Sequence, residues 1–112
     1  MDCIFCRIAA GEIPSNKLYE DEQVLAFYDI DPKAPVHFLV IPKQHIASAD
    51  ELTAQNSGIV AHVFEVIASV AKTLELQNGY RVVTNVGTDG GQSVSHLHFH
   101  ILGGRALAWP PG

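Results

Sequence analysis

Positive charge is scarce in this chain. Its 112 residues include 7 lysines and arginines against 12 acidic residues, a formal net charge of −5 with histidine neutral. Such a chain lacks the broad basic surface that nucleic acid or an anionic membrane attracts. Long apolar runs are missing too, since none approaches the roughly 20 residues of a membrane-spanning helix, and no basic-then-apolar leader opens the sequence. We therefore expect a cytoplasmic protein that binds neither nucleic acid nor a membrane.

Cysteine is also rare. The only two, Cys3 and Cys6, form a C-x-x-C pair, which in a reducing compartment indicates metal binding or redox chemistry before a structural disulfide. The composition, 47% hydrophobic and 17% charged, is typical of a folded globular protein. At this length, with no repeat and no linker, we expect residues 1–112 to form a single domain.

The most distinctive stretch is residues 93–104, which reads S-V-S-H-L-H-F-H-I-L-G-G. Three histidines, His96, His98 and His100, alternate there with apolar residues. Because side chains alternate along a strand, we predict that the imidazoles project from one face, about 7 Å apart, and the apolar residues from the other. Imidazole suits nucleophilic, proton-transfer or metal chemistry near neutral pH.

Two kinds of site fit this histidine pattern. Histidines two residues apart on a strand can share a zinc ion. Alternatively, the glycines before the run, with Ser93, can form a cradle for an anion, and a neutral histidine beside it can attack phosphorus. The pattern by itself leaves both open.

The rest of the chain predicts an α+β domain. Apolar side chains recur at three- and four-residue spacing over residues 57–76 and indicate one long helix. A short helix or turn is predicted over residues 3–10, ended by Gly11. Besides the histidine strand, we predict strands at 17–20, 24–30, 37–41 and 80–86. Together these elements indicate an antiparallel sheet of four or five strands with a long helix on one face.

The stretch H-L-H-F-H-I-L, preceded by G-G-Q-S, resembles the signature of the histidine-triad (HIT) superfamily. Residues 26–30 and 35–43 and the W-P-P-G ending resemble its Hint branch, so that the resemblance covers essentially the whole chain. It implies a HIT-like fold, with an antiparallel five-stranded sheet, one long helix and short helices, and a homodimer in which two sheets join. It also implies a purine nucleotide-binding hydrolase of nucleoside 5′-phosphoramidates and aminoacyl adenylates that releases the nucleoside monophosphate through a nucleotidyl-histidine.

The same resemblance assigns the catalytic roles. It makes His98 the nucleophile on the α-phosphorus and His100 the donor of a hydrogen bond to the phosphoryl oxygens. His37 resembles a supporting histidine that orients the nucleophile or relays its proton. Ser93 matches the serine that faces the leaving group.

Substrate contacts are implied in the same way. Gly91 and Gln92 lie in the loop that cradles the phosphate, Asn85 matches a polar residue beside it, and Asp29 matches the carboxylate that accepts from the ribose. Asn85 and Asp29 have an alternative explanation, because both residue types often bond loop backbone. The residues that look like the purine pocket, and that would be core in any case, are Ile4, Phe5, Ile8, Ile13, Phe27, Ile30 and Leu39.

Trp109 lies in a proline-rich tail that can be neither helix nor central strand. We expect this tail to reach the active site of the second subunit in a homodimer and Trp109 to contact the substrate there.

The chain also resembles those superfamily members in which an N-terminal cysteine pair forms part of a Cys₂His₂ zinc site. Here the four ligands would be Cys3, Cys6, His45 and His96, which would hold a structural zinc with no cofactor required for the chemistry. The alternative is two small thiols buried for packing.

Two other functions compete with the phosphoramidase. One is hydrolysis of dinucleoside polyphosphates, which differs in the leaving group, and the other is a nucleotide-binding interaction protein with incidental catalysis. His100 stands where the nucleotidyltransferase branch has glutamine, which favours hydrolysis over transfer. Tyr28 and Ser95 depart from frequent Hint residues, and we expect them to alter packing.

Overall fold

The computed structural model describes residues 3–112 of the chain. The helices are α1 (Ile4–Ala9), α2 (Gly58–Thr73) and α3 (Gly87–Gly90), with a 3₁₀ turn at Ala49–Glu51. The strands are β1 (Lys17–Glu20), β2 (Val24–Tyr28), β3 (Val36–Pro42), β4 (Tyr80–Val83) and β5 (Phe99–Gly103). No helix within this described range is long and apolar enough to cross a bilayer.

The five strands form one antiparallel sheet in the order β1-β2-β3-β5-β4. The last strand therefore lies inside the sheet, between β3 and the edge strand β4. This arrangement confirms the predicted five-stranded antiparallel sheet with one long helix and short helices. The long helix is shorter at its C-terminal end than the predicted 57–76, because the chain leaves helical geometry at Leu74 and Glu75 has a positive φ of 60°.

Helix α2 covers one face of the sheet. Its apolar stripe, which includes Val63, Ile67 and Val70, packs against residues such as Phe38 and Ile101 of the two central strands. Full burial of each such side chain contributes roughly 1.5–3 kcal/mol to folding. The larger of two cores therefore lies between α2 and the sheet.

Helix α1 covers part of the opposite face and encloses a smaller core. Phe5 and Ile8 of α1 pack there on strand residues that include Phe27 and Leu39. Gly11 follows α1 with a φ of +80°, as expected of the residue that ends a helix. Leu39 pairs with His100 across β3 and β5, so that His100 projects from this second face.

The prediction that all three histidines lie in a strand is wrong. Strand β5 begins at Phe99, so that only His100 lies in it. The preceding peptide groups bond elsewhere, since the Leu97 amide donates to the Ile46 carbonyl (2.6 Å) and the Thr84 hydroxyl donates to the His98 carbonyl (2.8 Å). The predicted alternation nevertheless holds, because Leu97, Phe99 and Ile101 all lie in the first core.

Candidate active site

Two clusters of chemically active side chains lie on the α1 side of the sheet. One contains His98, His100 and His37, and the other contains the two cysteines with His45 and His96. Phe5 of α1 stands between them, since its ring meets the ring of His98 edge to face at 5.0 Å and that of His96 at 6.0 Å. The packing of α1 thus fixes both clusters.

His98 is 3% exposed, and its ring orientation is set by backbone. Its Nδ1 lies 2.7 Å from the carbonyl oxygen of His96. Because a carbonyl can only accept, Nδ1 must carry the proton of the neutral ring. The lone pair of His98 is therefore on Nε2, which is the arrangement that a nucleophilic or basic imidazole requires.

His37 and His100 form a hydrogen-bonded pair with a defined direction. The backbone N–H of Lys33 donates to Nδ1 of His37 at 3.0 Å, so that the proton of neutral His37 is on Nε2. This Nε2–H donates to Nδ1 of His100 at 2.9 Å. His100 must then carry its proton on Nε2 and is a hydrogen-bond donor at that atom. In the structure His37 bonds to His100, whereas the resemblance implied that His37 would support the nucleophile, His98.

Burial keeps this pair neutral at pH 7. Loss of hydration lowers the pKa of His37. It also lowers the pKa of His100 to about 4, with smaller contributions from the proximity of His98 and His37. Both effects disfavour the imidazolium forms, in agreement with the tautomers that the hydrogen bonds define.

Asp29 has two roles in the structure. Its Oδ1 accepts from the backbone N–H of Asp31 at 2.7 Å, which is the turn-capping alternative expected from the sequence. Its Oδ2 lies 3.4 Å from Nε2 of His37 and 3.9 Å from Nδ1 of His100. One carboxylate oxygen therefore faces the histidine pair while the other shapes the loop.

A cleft of about 430 Å³ opens beside the histidine pair. It brings together five residues that the sequence nominated, namely Asp29, His37, Asn85, Ser93 and His100. Other lining residues, among them Asp31 and Lys33, were not found by sequence reasoning. The histidine motif gives no signal for them, because they reach the cleft only through the fold of the loop between β2 and β3.

The glycine-rich loop is held mainly by its own bonds. The amides of Gly91 and Gln92 donate to the carbonyls of Thr88 and Gly87, each at 3.0 Å. The Gln92 side chain donates to the carbonyls of Ala47 (2.8 Å) and Val94 (2.9 Å) and accepts from the Gly87 amide (3.1 Å). Gln92 therefore fixes the loop.

The residues nominated for a purine pocket divide into two groups. Phe5, Ile8, Phe27 and Leu39 are buried in the second core, and Ile13 packs against it. Ile4 is 46% exposed on α1, and Ile30 is fully exposed beyond β2. The first group is explained by packing alone, whereas Ile4 and Ile30 are accessible to a ligand.

Trp109 is 80% exposed, in a tail that folds back along β4. The Arg81 guanidinium donates to the Ala108 carbonyl at 2.9 Å and lies 5.9 Å from the centre of the indole ring. A second cleft, of about 450 Å³, lies between this tail and the sheet and shares Asn85 with the first.

The cysteine and histidine cluster brings four potential metal ligands close together. One ligand atom from each of Cys3, Cys6, His45 and His96 lies within 4.8 Å of all the others. Three of the sulfur to Nδ1 distances are 3.2–3.5 Å, and the two Nδ1 atoms are 3.2 Å apart. Tetrahedral zinc places such ligand pairs about 3.6 Å and about 3.3 Å apart. Nε2 of His96 donates to the Pro42 carbonyl at 2.8 Å, which leaves Nδ1 free of a proton for a metal.

The group of Asp29, His37 and His100 also brings three potential ligands together. It does not fit a metal, because the Lys33 amide keeps the proton of His37 on Nε2, the atom that would coordinate. Residues of the cleft are therefore arranged for hydrogen bonding.

Comparison with known proteins gives consistent results. The family model of the HIT domain matches residues 10–107. An uncharacterized HIT-like protein of Synechococcus elongatus is 51% identical over 99% of this chain and 97% of its own. A histidine triad protein from Clostridium difficile shares 53% identity with a TM-score of 0.94 over 96% of this chain and 95% of its own.

Two further solved structures have informative names. A HIT family hydrolase from Legionella pneumophila has a TM-score of 0.97 and 46% identity, over 99% of this chain and 100% of its own. A histidine triad nucleotide-binding protein from Candida albicans has a TM-score of 0.83 and 35% identity, over 97% of this chain and 83% of its own. The HIT-like fold expected from the sequence is thereby confirmed.

The lowered pKa of His100 predicts that the folded protein becomes less stable in acid. The unfolded chain takes up protons at His37 and His100 below about pH 6.5, whereas folded His100 takes one up only near pH 4. The free energy of unfolding should therefore fall as the pH decreases through this range. Replacing His100→Gln should reduce the fall between pH 7 and pH 5 by about 2 kcal/mol, measured by urea unfolding.

His62→Gln is a control of opposite sign. The hydrogen bond to the Asp21 carboxylate at 2.6 Å raises the pKa of His62. Its stabilisation is therefore present below about pH 6.5 and is lost as the pH rises through the raised pKa. That variant should lose more stability at pH 5 than at pH 8. A pH dependence of His100→Gln identical to that of the wild type would contradict the prediction.

Proposed function

Because the chain belongs to the HIT domain family, we propose that it is a purine nucleoside phosphoramidase. It hydrolyses nucleoside 5′-phosphoramidates and aminoacyl adenylates and releases the nucleoside monophosphate. The observation that carries the proposal is the 2.7 Å hydrogen bond from Nδ1 of His98 to the His96 carbonyl, which leaves the Nε2 lone pair available for attack on phosphorus.

In the first step, Nε2 of His98 attacks the α-phosphorus. A bond forms between phosphorus and Nε2, and the bond from phosphorus to the leaving amine breaks. The amine takes up a proton as it leaves, and we assign to the Ser93 hydroxyl, which lines the cleft, the relay of this proton from solvent water, so that the serine regains its own. Nε2–H of His100 donates to a phosphoryl oxygen, where negative charge grows in the transition state.

In the second step, water attacks the phosphorus of the nucleotidyl-histidine. The bond between phosphorus and Nε2 breaks, one proton of the water stays on the new phosphate oxygen and the other returns to solvent, and the nucleoside monophosphate and neutral His98 are released. During both steps the His96 carbonyl accepts from Nδ1–H, so that positive charge on the modified ring is stabilised without reorganisation.

The nucleoside would lie on the same side of the sheet. Oδ2 of Asp29 would accept from the ribose, and Asn85, which lines the same cleft, would contact the phosphate. The purine would lie against the apolar surface beside α1, where Ile4 is exposed. The named nucleotide-binding relative supports a nucleotide as ligand.

We further propose a homodimer that forms along β4, which is an edge strand of the sheet. Exposed edge strands are natural sites for pairing with another chain. Tyr80 on this edge and Trp109 in the neighbouring tail are both exposed aromatic residues that a second subunit would cover. In this arrangement the tail contributes to the partner's leaving-group site.

The cysteine and histidine cluster is proposed to hold one structural zinc per chain. Cys3 is the N-cap of α1 and Cys6 is in its first turn, so that the ion would attach this helix to His45 and His96. The bound ion would supply folding energy and fix the ring of His96.

Replacing His98→Ala should lower kcat for adenosine 5′-phosphoramidate by about a thousandfold or more, since covalent catalysis is lost. The dissociation constant for adenosine monophosphate should change less than about threefold, because the nucleophile acts mainly in the transition state. Steady-state kinetics and calorimetry measure the two quantities. His62→Ala, a histidine outside the cleft, is the matched control.

The same assay on a diadenosine polyphosphate tests the alternative activity. A higher kcat/KM for that substrate than for the phosphoramidate would replace the proposed function by polyphosphate hydrolysis. Turnover close to wild type in His98→Ala would contradict covalent catalysis altogether.

Protein purified without chelator should contain one zinc per chain by elemental analysis. Removing the metal should lower Tm, because the four ligands meet only in the folded chain. His45→Ala should lose the zinc while the hydrogen bonds of His98 and His100 are kept. Zinc far below one equivalent, with no thermal shift on adding metal, would leave the cysteines as packing residues.

Deleting residues 108–112 should change the ratio of kcat/KM between phosphoramidates with bulky and small amines by about tenfold. The affinity for adenosine monophosphate should stay within about twofold, because the nucleoside contacts lie outside the tail. Sedimentation of the full chain checks the dimer. A monomer at micromolar concentration would remove the basis for this prediction.

A further inference from the structure

Arg105, two residues after β5, reaches across to the loop between β2 and β3. Its Nη2 donates to the Lys33 carbonyl at 3.0 Å. The amide of the same Lys33 donates to Nδ1 of His37 at 3.0 Å, and His37 donates to His100 at 2.9 Å. An exposed guanidinium is thus connected through three successive hydrogen bonds to His100, the candidate hydrogen-bond donor to the phosphate.

Gly104 makes this reach possible. It has a φ of +86°, and a Cβ added there would lie 2.9 Å from Cβ of Pro35. Only glycine accepts this combination of backbone conformation and close approach without strain. The end of β5 therefore lies directly against the loop, which brings Arg105 to Lys33.

The Lys33 amide favours one direction for the protons of the histidine pair, and the Asp29 carboxylate 3.4 Å from Nε2 of His37 favours the same direction. If this N–H moved away, His37 could carry its proton on Nδ1, and its Nε2 would become an acceptor. His100 would then donate from Nδ1 and present the lone pair of Nε2 to the substrate. That lone pair would repel the phosphoryl oxygens whose charge His100 is proposed to stabilise.

We propose that Arg105 is a positioning residue for His100, acting through the backbone of Lys33 and the ring of His37. The inference rests on the proposed function for the identity of the substrate, but the hydrogen bonds themselves do not depend on it. Arg105 does not contact the reacting atoms. It keeps the loop where His37 and His100 have the productive proton arrangement.

The kinetic test compares Arg105→Ala with Arg105→Lys and with Arg7→Ala, which removes a surface arginine whose ion pair is with Glu12 at 3.5 Å. For Arg105→Ala, kcat for adenosine 5′-phosphoramidate should fall about tenfold, because a donor acting in the transition state is misdirected in part of the molecules. The dissociation constant for adenosine monophosphate should stay within about twofold. Lysine can still donate to the carbonyl and should restore part of kcat, and Arg7→Ala should match the wild type.

The spectroscopic test is long-range ¹H–¹⁵N correlation of the histidine rings without substrate. In the wild type Nδ1 of His37 should have the shift of an unprotonated nitrogen, and in Arg105→Ala it should move toward the protonated value. Gly104→Ala, which pushes the same loop away, should move it in the same direction if the variant folds. The ring nitrogens of His62, far from the loop, serve as the internal control.

The two tests separate the inference from the proposed function. An unchanged His37 spectrum together with wild-type kcat in Arg105→Ala overturns the positioning role. If the wild type does not hydrolyse the phosphoramidate but the His37 spectrum changes in Arg105→Ala, the proposed function fails and the positioning role stands.

Discussion

The hydrogen bond from Nδ1 of His98 to the carbonyl of His96 is the interaction on which the site depends. It fixes the tautomer of the candidate nucleophile and joins its ring to His96, whose own ring makes two further contacts. Nε2 of His96 donates to Pro42 of β3, and its Nδ1 faces the thiols of Cys3 and Cys6. A change in the position of His96 would therefore reach the nucleophile through one peptide group. The segment before β5 can be buried although it is irregular, because its polar groups have hydrogen-bond partners there.

The pair of His37 and His100 gives the hydrogen bonds of the site a defined direction. A neutral histidine has two tautomers in water, and each hydrogen bond to a group of fixed polarity removes one of them. The Lys33 amide can only donate and the His96 carbonyl can only accept. Backbone groups thus set the pattern, which the Asp29 carboxylate 3.4 Å from Nε2 of His37 also favours, and burial keeps the rings of His37 and His100 neutral so that the pattern persists at pH 7.

The bounds of β1 and the existence of the other four strands followed from local sequence. So did the long helix, because alternation and three- to four-residue spacing indicate burial on one side. The start of the histidine strand did not follow. Leu97 and His98 have the alternation of a strand, but their peptide groups bond to Ile46 and Thr84, residues far away in the sequence. Hydrogen-bond partners that are distant in sequence leave no trace in local periodicity.

The sequence by itself determined the fold class, the two faces of the histidine stretch and the residues that can carry chemistry. Residue type and spacing are sufficient for these, since the donor and acceptor groups of a side chain and the period of its strand are local properties. Only the tertiary structure decided that His37 bonds to His100, that Gln92 holds its loop, and that Arg105 reaches Lys33. The physical reason is that hydrogen bonds have short range and fixed direction, so they are defined only when distant segments have packed.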